Sequence, residues 1–370
     1  MKRAVLLLAR ELHLGGSERQ LAEIALGLDR SRFEPHVGAF RPDGLRGREL
    51  REAGIRIAHF PVYSFRSRAA LSGIWQMAGY IRRHRIDLVH AFDAPLNVYA
   101  TPVARFFTSA VVVASQRWHR RLTPEFHRLL RLTDRLVDGI VVNCEHLKRH
   151  LIQEERVSER VVHVCYNGID LERFRRQANP RPAGLPQEAL VIGVVCALRP
   201  EKALHLLLEA FARVRGRGPS LKLAIVGSGP LRQDLETLAT RLGILADCVF
   251  QPATGDVPEW LSAMDIFVLP SLEEAFSNAI MEAMACGCAV AASRVGGNPE
   301  LIEDGVRGLL FPSGDAEELA RTLRRLIEDP ELRRRLAAAG EGFVRENFSR
   351  AASARRMEEI YEALLARRRR

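Results

Sequence analysis

The side chains best suited to chemistry sit in the second half of the chain. The stretch Leu269–Glu300 reads L-P-S-L-E-E-A-F-S-N-A-I-M-E-A-M-A-C-G-C-A-V-A-A-S-R-V-G-G-N-P-E. Glu274 and Glu282 stand eight apart, and the pattern predicts a helix from about Asn278 with Glu282 inside it and Glu274 in the loop before it. The surrounding Met281, Ala283, Met284 and Ala285 are small or apolar, so a carboxylate there needs a partner. Sugar hydroxyls suit, because each donates a hydrogen bond to a carboxylate. On spacing alone, two ordinary helix glutamates are an equal reading. Upstream, Cys196–Lys202 reads C-A-L-R-P-E-K between a strand pattern and a helix pattern. Arg199 offers a fork and Lys202 a point charge, a pair that suits a diphosphate. A solvated loop is the alternative. The chain has 51 arginines and only four lysines, so Lys202 is the more informative of the two.

Two glycine turns add possible anion contacts. Gly227-Ser228-Gly229-Pro230 joins a strand to a helix. Near the start, Leu12–Glu18 contains Gly15-Gly16-Ser17 after a strand, with Ser17 placed to cap a helix. Backbone N–H groups at such a helix start can meet an anion, although a plain tight turn reads the same way. The spacing is not G-x-G-x-x-G, so a nicotinamide fold is not favoured. His90 ends a strand and either positions a substrate or bonds a neighbouring loop. Asn167 and Asp170 suit a structural turn between the two halves. Six cysteines are scattered without framework spacing and read as reduced thiols; the lone Cys286-x-Cys288 pair lacks the further ligands of a metal site.

These residues need strand ends and helix starts to position them, and the pattern supplies both. Unbroken apolar runs predict strands at 4–9, 36–40, 55–60, 87–92, 110–115, 139–143 and 161–165. Helical patterns lie between several of them, at 17–28, 69–84, 96–107 and 124–136. A polar, proline-rich stretch follows. A second series then places strands at 190–197, 221–227, 248–251, 266–270, 289–293 and 308–311, and helices at 316–328 and 331–347. The expected architecture is α/β, two doubly wound Rossmann-like domains facing across a cleft: 1–175, a linker at 176–189, and 190–348, with 349–370 as a last helix and Arg-rich tail. In such sheets ligands bind outside the carboxyl ends of the strands.

Composition bounds the function. The 370 residues are 47% hydrophobic and 27% charged, which excludes a mostly disordered chain. No apolar run reaches spanning length, and the first strand is too short for a secretory signal core, so a cytoplasmic place is expected. Residues 1–170 hold 27 basic and 18 acidic side chains; the remainder holds 28 and 27. A basic first half points to nucleic acid, anionic lipid or an acidic substrate. Nucleic acid is the weakest, since no finger spacing, RNP-like string or helix-turn-helix is found. Arg66, Arg68, Arg82, Arg83 and Arg85 flank a helix carrying Ile74, Trp75, Met77 and Ile81. It faces either an anionic membrane, with weak salt-sensitive binding, or the core with its arginines in water; inward packing is favoured.

Taken together, the motifs resemble those of a family 4 retaining glycosyltransferase of GT-B fold, over nearly the whole chain. They are G-G-S-E at 15–18, V-H-A-F at 89–92, Y-N-G-I-D-L-E-R-F at 166–174, L-R-P-E-K at 198–202, G-S-G-P-L at 227–231, the E-x7-E stretch and G-G-N-P-E-L-I at 296–302. The resemblance implies that Arg199 and Lys202 hold the donor diphosphate, Glu274 the donor sugar and Glu282 the ribose. Backbone N–H groups of Ala275, Phe276, Ser277 and Asn278, and of Gly15-Gly16, would meet sugar or phosphate. It implies retention by front-side attack, no metal and no cofactor. The first domain would bind a glycan or lipid-linked acceptor, as in polysaccharide, lipopolysaccharide or glycolipid synthesis, with a peripheral place at the inner membrane face open to it. The last helix would cross back onto the first domain, its Ile360, Leu364 and Leu365 stripe in the core. Departures are Ala275 for Gly, Ala289 for Pro, Ser228 for Asp, and an acceptor-side region reading S-Q-R-W-H-R-R, where His119 or Arg117 replaces the usual histidine. A non-catalytic nucleotide-sugar-binding subunit, a non-hydrolysing sugar-nucleotide epimerase and a pyridoxal-dependent phosphorylase remain as other readings.

Overall fold

A strand covered on both faces needs an unbroken apolar run, and a parallel neighbour needs a crossover helix to reach it. The first unit repeats that unit of structure. In the computed structural model, which describes residues 2–13, 15–65, 67–117, 123–178, 181–216 and 220–368, the order is β1 (Arg3–Glu11), α1 (Gly16–Gly27), β2 (Phe33–Arg41), α2 (Leu45–Glu52), β3 (Arg56–His59), α3 (Arg68–Arg83), β4 (Leu88–Ala91), α4 (Ala94–Phe107), β5 (Val111–Gln116), α5 (Pro124–Asp134), β6 (Gly139–Val142), α6 (Glu145–Gln153) and β7 (Val162–Val164). The sheet runs β3-β2-β1-β4-β5-β6-β7, with every described pairing parallel. The order reverses beside β1, where Leu7 lies between Val37 and His90. That reversal is the switch point at which such sheets take ligands.

The second unit continues with β8 (Leu190–Val195), α7 (Leu204–Val214), β9 (Leu221–Val226), α8 (Arg232–Arg241), β10 (Cys248–Gln251), α9 (Val257–Ala263), β11 (Ile266–Leu269), α10 (Asn278–Ala285), β12 (Ala289–Ser293), α11 (Asn298–Leu301), β13 (Leu309–Phe311), α12 (Ala316–Glu328) and α13 (Pro330–Asn347). Its parallel sheet runs β10-β9-β8-β11-β12-β13, again reversing beside β8.

The chain leaves the first unit at Gly168 and returns at Arg350, so the boundary lies earlier than residue 175. The expected linker at 176–189 belongs to the second unit, and its polar groups are spent there. Arg176 Nη1 donates to Gly287 O (2.9 Å), the Gln177 amide to Ser262 Oγ (3.0 Å) and Arg181 Nη1 to Pro186 O (2.9 Å). The last helix, α14 (Arg350–Arg367), joins the first unit as the resemblance implies. Met357, Ile360, Tyr361 and Leu364 enter the core built by β1, β2 and α1. Glu358 fixes the helix by accepting from the Asp29 amide (2.6 Å) and from Arg32 (3.0 Å).

Two helices absent from the expectation, α2 and α6, also form. α2 (L-R-G-R-E-L-R-E) buries Leu50 and carries too few apolar residues to show a stripe. In α3, Met77 and Ile81 are buried and Ile74 is half-buried, so its apolar face packs inward, as favoured, while Trp75 stays outside.

Candidate active site

The loops after four neighbouring strands of the second sheet, β9, β8, β11 and β12, are tied to one another by their backbones. After β8, residues 200–202 make a short 3-10 turn that ends on Ala203 in the left-handed region (φ +47°). Leu272 N donates to Glu201 O (2.8 Å), which joins this turn to the loop after β11. The turn after β9 fits against it only because it is glycine. A Cβ on Gly229 would stand 2.4 Å from Leu198 O, and one on Gly227 (φ +151°) would stand 1.8 Å from Cys196 O. Leu198 N donates to Ser228 O (3.1 Å) and Leu231 N to Leu198 O (3.2 Å). The turn after β12 is equally close. Gly296 has φ +54°, a Cβ there would lie 1.6 Å from Glu274 O, and Gly297 N donates to Ala275 O (2.7 Å).

Lys202 and Glu274 meet in this cluster. Lys202 Nζ donates to Glu274 Oε1, and Ser271 Oγ donates to the same oxygen (2.8 Å). Every hydrogen bond described for the carboxylate falls on Oε1, so Oε2 is left for another donor. Ser271 is itself held, its carbonyl accepting from Ser293 Oγ (2.5 Å); Ser293 O in turn accepts from Asn298 Nδ2 (2.9 Å). Ser271 was not singled out in sequence; the only signal for it is a serine three residues before the loop glutamate. Arg199 is exposed and its guanidinium has no described partner. Ser277 caps α10, accepting from Ile280 N (3.3 Å), and Ala275, Phe276 and Ser277 are buried beside that helix start, with Asn278 half-buried. Glu282 lies within α10 at 4% exposure. Cys286 and Cys288 are buried thiols, Cys286 pushed up to about 12 by burial, so neither is a ready nucleophile.

The first unit treats its polar groups differently. α1 begins at Gly16 with Gly15 as the capping residue and no side-chain cap, so Ser17 lies in the first turn and does not cap. A Cβ on Gly15 would come within 2.0 Å of Glu18 Oε2: the carboxyl of Glu18 itself lies over the helix start. Burial raises its pKa, opposed by its own backbone hydrogen bond and reinforced by Asp93 and Glu11. His90 is fully buried, with Nδ1 bonded to Tyr361 Oη (2.7 Å) and Nε2 to Ser115 Oγ (2.8 Å). With both nitrogens engaged it cannot serve an acceptor; it is a structural histidine, its pKa driven well below the usual value by burial and then by Arg117. Arg117 follows β5, donates from Nη1 to Asn167 Oδ1 (2.7 Å) and lies 4.9 Å over the Phe92 ring. Burial lowers its pKa to about 10, so it stays charged at neutral pH. Asp170 accepts from the Glu172 and Arg173 amides (3.0 and 3.1 Å), the turn role expected of it. His119 lies outside the described residues.

Two family models tile the chain. The Glycosyltransferase Family 4 model matches residues 14–173, and the "Glycosyl transferases group 1" model matches 175–343. The chain belongs to glycosyltransferase family 4. Among relatives, a D-inositol 3-phosphate glycosyltransferase from Streptomyces bingchenggensis is 34% identical over 297 residues, 75% of this family 4 chain and 62% of that protein. Another of that name, from Streptomyces scabiei, is 33% identical over 64% of this chain and 56% of its own. The alignments thus span about 60% of these relatives. Among solved structures, HepE of Anabaena in complex with UDP and glucose superposes with TM-score 0.83 at 25% identity, covering 98% of this chain and 100% of that one. A glycosyltransferase from Rickettsia africae gives 0.84 at 21% identity, over 98% and 99%. The two Rossmann-like units are those of the GT-B architecture.

Proposed function

We propose that this family 4 chain transfers a sugar, with retention, from a nucleoside diphosphate sugar to a glycan or lipid-linked acceptor, without a metal. The observation that carries the reading is the Lys202–Glu274 pair, held on one carboxylate oxygen, with Arg199 three residues before Lys202 and without a partner among the described residues. A departing nucleoside diphosphate gains negative charge at its terminal phosphate. Two cations and the start of α10 can neutralise it in place of a divalent ion. Lys202 then shares its proton donors between Glu274 and phosphate, and Arg199 closes on the diphosphate as a fork. Glu274 Oε2 accepts a donor-sugar hydroxyl. With no base needed on the opposite face, a donor phosphate oxygen takes the acceptor proton on the side the leaving group occupies. The anomeric configuration is thereby kept.

The HepE complexes with UDP, glucose and UDP-glucose favour a uridine donor. The relatives' name, D-inositol 3-phosphate glycosyltransferase, favours testing a phosphorylated polyol beside the glycan and lipid acceptors. Arg117 is the acceptor-side cation of the first unit in this reading. The test is nucleotide release from UDP-, GDP-, ADP- and dTDP-sugars with each acceptor, with and without EDTA, and product anomer by NMR. Transfer from one donor class with retained anomer and no EDTA effect is expected. Inverted product, or activity abolished by EDTA and restored by a divalent ion, contradicts it. Tight nucleotide binding without turnover under any acceptor supports the non-catalytic binding subunit instead.

A further inference from the structure

Four neighbouring strands of the first sheet end in a row. Phe92 follows β4, Arg117 follows β5, Asn143 follows β6 and Asn167 comes three residues after β7. Arg117 touches the other three. Its Nη1 donates to Asn167 Oδ1 (2.7 Å), its guanidinium lies over the Phe92 ring, and its carbonyl accepts from Asn143 Nδ2 (3.5 Å). Two atoms of this row are buried without a hydrogen-bond partner among the described residues: a donor, Arg117 Nε, and an acceptor, Asn143 Oδ1. Asn143 is 3% exposed. A buried polar atom left unpaired is costly, and two side by side call for a ligand that brings both kinds of partner.

The charge of Arg117 is unmatched as well. It makes no ion pair among the described residues, and the residues outside that set include no Asp or Glu. The ionisable groups that act on it are Cys165 and Tyr361, which burial keeps neutral. His90 beside it is also held neutral by burial. A buried cation is ordinarily paired, because a lone one costs stability. With Nη1 spent on Asn167, the free edge of the guanidinium is Nε–H and Nη2–H, which point the same way. That edge is the fork that takes both oxygens of one carboxylate. A dianionic phosphate calls for more than one cation, and no second cation among the described residues acts on Arg117.

We infer that a substrate of this chain is a sugar acid whose carboxylate is taken side-on by Arg117 Nε and Nη2, while a neighbouring hydroxyl donates to Asn143 Oδ1. The inference rests on the glycosyl-transfer reading and names its substrate class, a uronic acid or a sugar bearing an equivalent carboxylate. A neutral sugar would satisfy Asn143 and leave the buried cation alone. A carboxylate without hydroxyls would satisfy Arg117 and leave Asn143 Oδ1 alone. Asn167 and the Phe92 ring hold the guanidinium in place, so little side-chain freedom is lost on binding.

The test compares three sugars on the full chain: methyl glucoside, methyl glucuronide and the glucoside phosphorylated at the same carbon. Each is measured as a ligand by ligand-observed NMR and as an acceptor with the donor that is turned over. UDP-glucose against UDP-glucuronate forms a second arm. The glucuronide should bind about thirtyfold tighter than the glucoside, the scale of a charge-assisted fork. Arg117→Gln should bring that ratio close to one, and Arg117→Lys, which keeps the charge and loses the fork, should restore only part of it. Without ligand, Arg117→Gln should melt at or above the wild type, because a lone buried charge is removed. If the acid belongs to the donor, the same Arg117-dependent preference appears between the two donors and not among the acceptors. Equal binding of glucuronide and glucoside, preference for the phosphate, or discrimination that survives Arg117→Gln overturns the inference. So does failure to bind or use a carboxylate sugar in either arm, or a lower melting temperature with unchanged discrimination. Binding is read without turnover, so glucuronide held through Arg117 by a chain that transfers nothing would sink the transfer reading alone. Transfer from a nucleotide sugar that ignores the carboxylate would sink this inference alone.

Discussion

The two units share an architecture and spend their polar groups in opposite ways. At the strand ends of the second unit, charge is left with open valence: Arg199 has no described partner and Glu274 uses one oxygen for both its bonds. At the strand ends of the first, His90 is consumed by the fold, while Arg117 keeps a buried Nε without a described partner. His90 gives both nitrogens to Tyr361 and Ser115, Arg117 gives a donor to Asn167, and Glu18 lies over its own helix start. The lesson is that a strand-end residue announces a site by what it leaves unsatisfied, and residue type alone does not separate the two cases.

The contrast can be broken most forcefully at Lys202. Lys202→Ala or Glu274→Gln should lower kcat/KM for sugar transfer by about a thousandfold, the scale of a lost charge-stabilising donor, with little change in melting temperature. A large drop in stability with full activity in the survivors would make the pair structural, like those of the first unit. Next in size is His90→Ala. It orphans the buried Tyr361 and Ser115 hydroxyls and should cost about 3 kcal/mol in chemical denaturation, while nucleotide affinity holds. The histidine also predicts an acid limb. Its folded pKa lies below the unfolded value, so the unfolded chain binds the extra proton, and stability is lost as pH falls below about 6.5. His90→Gln should flatten that limb.

Asp134 sharpens the comparison on a smaller scale. Burial raises its carboxyl to about 6, although Gln116 Nε2 donates to it at 3.0 Å. An acid raised on folding binds protons more tightly in the folded chain. Stability therefore falls as pH rises from about 4 to about 6, and the full penalty persists above. Asp134→Asn should stabilise the protein by about 2 kcal/mol at pH 7.5 and by little at pH 4, seen as a melting-temperature gain confined to the higher pH. A gain of equal size at both would assign the effect to packing.

The strands were legible because unbroken apolar runs such as Val5–Leu8 admit few other readings, and the turns of the second unit were legible because Gly227, Gly229 and Gly296 stand between strand and helix patterns. What the sequence could not show was tertiary. Nothing in Asp87–Phe92 reveals that Tyr361, 271 residues away, fills the Nδ1 side of His90. Nothing in residues 176–189 reveals that Gly287 and Ser262 take up their polar groups. α2 and α6 were missed because a short helix burying one or two leucines carries no stripe to count. The cap expected at Ser17 lies two residues earlier, at Gly15, which caps α1 without a side chain.

The most direct test of the central claim is a thermal-shift and calorimetric panel of UDP, GDP, ADP and dTDP on the wild type and on Arg199→Ala/Lys202→Ala. One nucleotide, at about 100 times its dissociation constant, should stabilise the wild type by about 2.7 kcal/mol and leave the folded double variant unmoved. A shift that survives in the double variant, or no shift with any nucleotide on a folded wild type, would contradict the assignment of these loops as the diphosphate site.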